Sequence, residues 1–154
     1  MKKQMPKRFI KYLHHYFQFL FERGFTIHNI VYNPPSRWGG IRSWRIELKS
    51  SDCRVKIWSE RGTGVYLHLA PLNEQIYFSI STLIYYVTNE NEFISTFSGN
   101  EGLTKKQQFK RLAGLLERYL DDIFPYLTDD FEKNREELFR IAKMVTALEM
   151  KRYY

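Results

Sequence analysis

Between Ser43 and Ser50 the chain alternates strictly, Trp44, Ile46 and Leu48 against Arg45, Glu47 and Lys49. A period of two puts every apolar side chain on one face of a strand, and a one-residue slip would turn the whole set into water. The segment therefore commits the chain to an antiparallel sheet with one covered and one polar face. Ser50-Ser51-Asp52 reads as a turn, and Cys53 to Ser59 as the return strand with Val55 and Ile57 inward. Arg61-Gly62 supplies the next tight link, Gly62 being free to take positive φ. Val65, Leu67 and Leu69 point inward from a further strand ending at Pro71. Upstream, Phe25 to Tyr32 is β-branched and aromatic, before a loop punctuated by Pro34-Pro35 and Gly39-Gly40. Four sequential strands with short links read as a meander.

The covered face needs a lid, and the rest of the chain is patterned to supply one. Phe9, Leu13, Tyr16, Phe17 and Leu20 recur at helical spacing after Pro6, and Gly24 stops them. Ile80, Leu83, Ile84 and Val87 predict a short helix, extendable through Phe93 and Phe97, before a loop over residues 98–102. Thr104 and Gln107 have capping-box spacing ahead of Phe109, Leu112, Leu116, Tyr119 and Ile123. Pro125 is expected to break that helix. Thr128-Asp129-Asp130 should open the last one, with Phe131, Leu138, Ile141, Val145 and Leu148 as its apolar stripe. The expected fold is α+β, an antiparallel sheet of about four strands preceded by one helix and followed by about three. Residues 1–154 read as a single domain with a basic arm at residues 1–8.

Composition narrows the class. Aromatic residues make up 17% of the 154, too many for a disordered chain. One cysteine, Cys53, excludes an internal disulfide and a multi-thiolate metal site. No apolar run approaches the ~18 residues of a membrane span, and no small-residue cleavage site follows the basic start, so a cytoplasmic location is expected. The formal charge is +7, but Met1 to Lys11 hold five bases and no acid, whereas residues 12–154 hold 19 bases and 17 acids. The high pI thus describes the start of the chain more than its body.

Two sets of residues are candidates for binding. The outward face of the sheet should carry Arg45, Glu47, Lys49, Arg54, Lys56, Trp58, Tyr66 and His68. Cations interleaved with rings on an open sheet suit single-stranded nucleic acid, charges on phosphates and rings under bases. The plainer reading is a solvated face using charge for solubility and cross-strand pairing. The second set is the arm, Lys2, Lys3, Lys7, Arg8 and Lys11. Attachment of the arm and first helix to an anionic membrane surface is disfavoured, because the helix's aromatic face is needed for the core.

Catalytic patterns are thin. Glu47-Leu48-Lys49 has the spacing of the second half of a PD-(D/E)XK nuclease motif, but no aspartate precedes it, and exposed alternation explains it better. Cys53 shares the inward parity of Val55 and Ile57 and reads as a small buried residue. His14 and His15 point ~100° apart on a helix and cannot chelate together, and His28 and His68 stand alone on strands. Asp121, Asp122, Asp129 and Asp130 flank Pro125; the first two sit oddly at a helix C-terminus and point weakly to an interaction surface. No phosphate loop, dinucleotide fingerprint or nucleophile elbow is present. The expectation is no catalysis, no metal and no cofactor.

The order helix, meander, helices resembles a group of small bacterial proteins, many uncharacterised and some of the toxin-immunity type. The resemblance is carried by Phe21-Glu22-Arg23-Gly24-Phe25, Ile46-Glu47-Leu48-Lys49-Ser50, Ile57-Trp58-Ser59-Glu60-Arg61-Gly62 and Ile80-Ser81-Thr82-Leu83-Ile84. It spans Phe9 to Val87, leaving the last two helices outside. It implies a non-catalytic protein that acts by binding another protein, and it assigns no functional residue. A protein-binding module, immunity-like in kind, is the leading expectation, with single-stranded nucleic-acid binding through the arm and sheet face as the alternative.

Overall fold

In a computed structural model, which describes residues 4–34, 42–60, 64–95 and 100–153, the first apolar stripe folds as two helices rather than one. α1 (Lys7–Tyr16) pauses at Phe17, whose φ of −104° and ψ of 21° leave the helical region, and α2 (Gln18–Glu22) resumes for little more than a turn. Phe9, Leu13, Phe17 and Leu20 nevertheless stay buried, so the break costs no core contact. Gly24, at φ +91°, ends α2, and the Phe25 amide donates back to the Leu20 carbonyl at 3.1 Å. That closure requires a left-handed residue, which glycine adopts without Cβ strain. Met5 is buried with this stripe, so the basic arm drawn at residues 1–8 is folded in from Met5 onward, Lys7 and Arg8 lying on α1. Lys2 and Lys3 lie outside the described residues.

The meander follows as expected, with a fifth strand added. β1 (Thr26–Asn33), β2 (Ser43–Lys49), β3 (Cys53–Glu60) and β4 (Tyr66–Pro71) pair antiparallel in chain order, and β5 (Phe78–Ser79) pairs with β4. The alternation sets the register. Ile27, Leu48, Val55, Leu69 and Phe78 form one inward row, and Ile30, Ile46, Ile57 and Leu67 the next. Ile46, Leu48, Val55, Ile57 and Leu69 are fully buried, each contributing about 1.5–3 kcal/mol. His28 is an extra residue between Ile27 and Asn29, a bulge that shifts the parity of β1. The Arg61-Gly62 link lies outside the described residues.

α3 (Ile80–Val87) starts directly from β5, with the Ser79 hydroxyl accepting from the Thr82 amide at 3.1 Å. It does not extend toward Phe93, because Asn89 and Glu90 take φ of 54° and 64°; Phe97 lies outside the described residues. The capping box forms at Thr104 and Gln107, opening α4 (Lys105–Leu127). Pro125 does not break this helix, contrary to expectation. It stands two residues from the end, where its missing amide forfeits a single bond, and Leu127 beyond it is buried. α5 (Phe131–Tyr153) begins just after the acidic pair and buries Phe131, Leu138, Ile141 and Val145.

All the helices for which burial is described contribute to a core on the inward face of the sheet. At its centre Trp44 of β2 stacks on Phe9 of α1 at 5.2 Å and on Phe109 of α4 at 5.8 Å, and Phe9 and Phe109 lie 6.1 Å apart. Gln108 fixes α4 against the start of β4. Its Oε1 accepts from the Val65 amide at 2.7 Å, while the Asn100 side chain donates to the Val65 carbonyl at 2.9 Å. Buried backbone groups ahead of the strand are thereby satisfied by side chains rather than water.

Candidate functional site

With the helices on one side, the opposite face of the sheet is where the charged half of the alternation meets solvent. The register lines up Arg45, Trp58 and Tyr66 in one row, Glu47, Lys56, His68 and Ser79 in the next, and Lys49, Arg54 and Ala70 in a third. Of the eight residues expected there, Arg45, Glu47, Arg54, Lys56, Trp58, Tyr66 and His68 form one continuous patch, and exposed Lys49 stands at its end beside Arg54.

The patch is a cation–aromatic cluster rather than a row of solvated charges. Trp58 is its hub, with its ring 4.8 Å from Tyr66 and 5.4 Å from His68, edge-on, while the Lys56 ammonium sits 5.6 Å from the indole. Tyr77, one residue before β5, adds a ring that both Lys56 (4.5 Å) and Arg54 (4.9 Å) overlie. The contact with Arg54 is open because Ala70, opposite Arg54 in the register, is too short to block the guanidinium. Each such cation–ring contact is worth about 0.5–1 kcal/mol when exposed and more when water is excluded. Sequence reasoning missed Tyr77. Its signal was the alternation Tyr77-Phe78-Ser79, too short to read as a strand without β4 beside it.

Burial tunes the charges here. The His68 imidazolium is disfavoured, its pKa brought down to about 4 by desolvation first and by Lys56 second. Lys56 is likewise lowered, by burial and then by Arg45, with Arg54 adding to it against the opposing pull of Glu47. Burial raises the Tyr77 phenol. At neutral pH, then, His68 is an uncharged ring and contributes packing, not charge. Glu47, the acid of the nuclease-like spacing, is held by Arg45 at 3.3 Å and by the Asn29 amide at 3.5 Å.

Three donors in the cluster have no acceptor. Arg54 Nε and Nη2 and the Trp58 Nε1 are buried without a hydrogen-bond partner among the described residues. A buried donor left unpaired costs about 1–3 kcal/mol, and more when charged. A shallow depression adjoins Trp58 but not Arg54, lined also by Val31, Arg45, Lys56 and Glu60. Tyr66 departs from expectation. It faces outward in the register yet is only 6% exposed, so its ring supports Trp58 instead of offering a surface.

The remaining candidates are placed elsewhere. Lys7, Arg8 and Lys11 lie on α1; Arg8 packs over Phe9 at 5.0 Å, while Lys7 and Lys11 border a groove against β1. Asp121 pairs with Arg23 at 2.8 Å, inside a helix that continues past it, which removes its oddness as a helix-end acid. Cys53 is fully buried and its thiol is pushed up to about 12, first by desolvation and then by Asp52. Among the described residues no three His, Cys, Asp or Glu side chains gather as a metal set, and no helix is long and apolar enough to cross a membrane. Compared with known proteins, the chain matches no family model, no curated protein and no solved structure.

Proposed function

We propose that this chain is a non-catalytic protein-binding module whose open sheet face takes an acidic surface of a partner protein. The observation that carries the reading is the unpaired Arg54 Nε and Nη2 and Trp58 indole nitrogen within a cluster of four cations and three partly exposed rings. A partner carboxylate would satisfy Arg54 Nε and Nη2 through two parallel charge-assisted hydrogen bonds once the half-buried side chain swings outward from Tyr77. Trp, Tyr and Arg side chains in a half-buried patch are also the composition of interface hot spots. The resemblance to immunity-type proteins implies the same mode of action, binding without chemistry.

Single-stranded nucleic acid fits the same face less well. Base stacking needs free ring faces. Here Tyr66 is sealed, Trp58 is flanked by Tyr66 and His68, and Tyr77 is already overlaid by two cations. His68 is uncharged and so adds nothing against phosphate.

The test compares affinity purification of the wild-type chain with that of a double variant, Arg54→Glu with Lys56→Glu. An acidic protein retained in stoichiometric amount by the wild type and lost from the variant is the expected result. Equal retention by both, or retention of nothing, refutes the reading. Retention that nuclease abolishes would put the nucleic-acid alternative in its place.

A further inference from the structure

A second surface has the features of a binding site and lies on the other flank of β1. β1 is the edge of the sheet, eight residues long, and its outer side pairs with no strand among the described residues. Edge strands are ordinarily blunted by lysine, proline, bulges or a cover, because their free amides and carbonyls recruit other strands. β1 has its bulge at His28, but from Asn29 to Asn33 it pairs regularly with β2 and carries neither lysine nor proline. Among the described residues no strand pairs with the outer side of this half.

The side chains continue the pattern. In the inward row Ile30, Ile46, Ile57 and Leu67, the last three are buried while Ile30 is 41% exposed. The row stops one strand short of being covered. Beside it runs a groove between the β1 edge and the start of α1, with Met5, Ile10 and Ile30 in its lining and Lys7 and Lys11 along the helix side. Those lysines stand one helical turn apart and have no ion-pair partner among the described residues.

We propose that this groove takes an extended acidic–apolar segment of a partner protein, added as a sixth strand on β1. Its backbone would pair with Asn29 to Asn33. One face would carry an apolar side chain beside Ile30 and Ile10 and acids within reach of Lys7 and Lys11. Strand addition beside a flanking helix gains affinity from main-chain hydrogen bonds and specificity from alternate side chains. A second copy of this chain is the poorer occupant on charge grounds. Thr26 to Asn33 contain no acid, and neither do Met1 to Lys11, so a self-pair would set lysines against lysines. The inference stands apart from the sheet-face reading, since it uses neither Arg54 nor Trp58.

The probe is a fluorescein-labelled peptide Glu-Thr-Val-Thr-Glu-Thr-Val-Thr, matching the eight residues of β1 and placing Glu and Val on one face. Fluorescence anisotropy should show saturable binding. The Lys7→Glu, Lys11→Glu double variant should weaken it roughly tenfold or more, and a peptide with lysine in place of Glu should not bind. Two N-methylated peptides leave the protein untouched, one methylated at every Thr and the other at every Glu and Val. Amides of alternate residues point to opposite edges of a strand, so one of the two should lose binding and the other keep it. Equal behaviour of the two methylated peptides overturns strand addition. Absence of binding by the folded wild type at low salt, or loss on Arg54→Glu with Lys56→Glu but not on the lysine pair, overturns the groove. A wild-type dimer that excludes the peptide and dissolves on Ile30→Lys overturns it in favour of self-pairing.

Discussion

The pH response of His68 offers the sharpest check on the outer face, because one side chain reports whether the cluster excludes water. In the unfolded chain an imidazole titrates near 6.5, whereas in the fold burial and then Lys56 bring His68 to about 4. Well above pH 6.5 both states are neutral there, and the titration of His68 does not affect stability. Between 6.5 and 4 the unfolded chain takes up a proton that the folded chain refuses, so stability falls with falling pH; below about 4 the loss levels off. Linkage gives about 2 kcal/mol lost between pH 7.5 and 5, and about 3 kcal/mol at the plateau. Against a domain stability of about 5–15 kcal/mol this is readily measured. The assay is urea denaturation at pH 7.5, 6 and 5 for the wild type and His68→Asn, which has no proton to gain. Carboxylates held low by arginine partners, Asp121 beside Arg23 and Glu137 beside Arg140, lose protection in both proteins alike, so the difference isolates His68. The wild type should fall by about 2 kcal/mol relative to the variant by pH 5. Parallel curves would refute the reasoning, because they would mean that His68 keeps its water and the cluster is an ordinary solvated face.

Two further predictions address the core. Phe109→Ala removes the ring shared by Phe9, Tyr12, Phe17 and Trp44 and should cost about 3–5 kcal/mol in guanidinium unfolding with an unchanged m-value; a loss below ~1 kcal/mol would mean that this stack does not join α1, β2 and α4. Cys53, buried and with its thiol pushed up to about 12, should be inert to a thiol-disulfide reagent at pH 8 in the native protein and react fully in denaturant. Prompt native reaction would place Cys53 at a surface.

The contrast between prediction and fold follows the range of the forces involved. Trp44 to Lys49 declare their strand, their register and their buried face through a period that needs no other part of the chain. Gly24 and the Thr104–Gln107 box likewise act within a few residues, and both ended or began helices where expected. Pro125 was misjudged because a proline's cost depends on its distance from the helix end, and burial of Leu127 set that end. The break at Phe17 and the left-handed pair Asn89–Glu90 carry no comparable local signature.

The candidate site divides along the same line. Linear order alone determined which side chains of β2, β3 and β4 share the outer face, since parity is a property of each strand. What they do there was decided only when the strands met. Ala70 leaves the gap through which Arg54 reaches Tyr77, Trp58 closes over Tyr66, and His68 loses its water. Each depends on a neighbour from another strand, and so does the exposed edge at Ile30, which exists because β1 is the last strand of the order. Periodicity is written residue by residue along the chain, but desolvation and cation–ring contact are sums over neighbours that only the assembled sheet brings within a few ångströms.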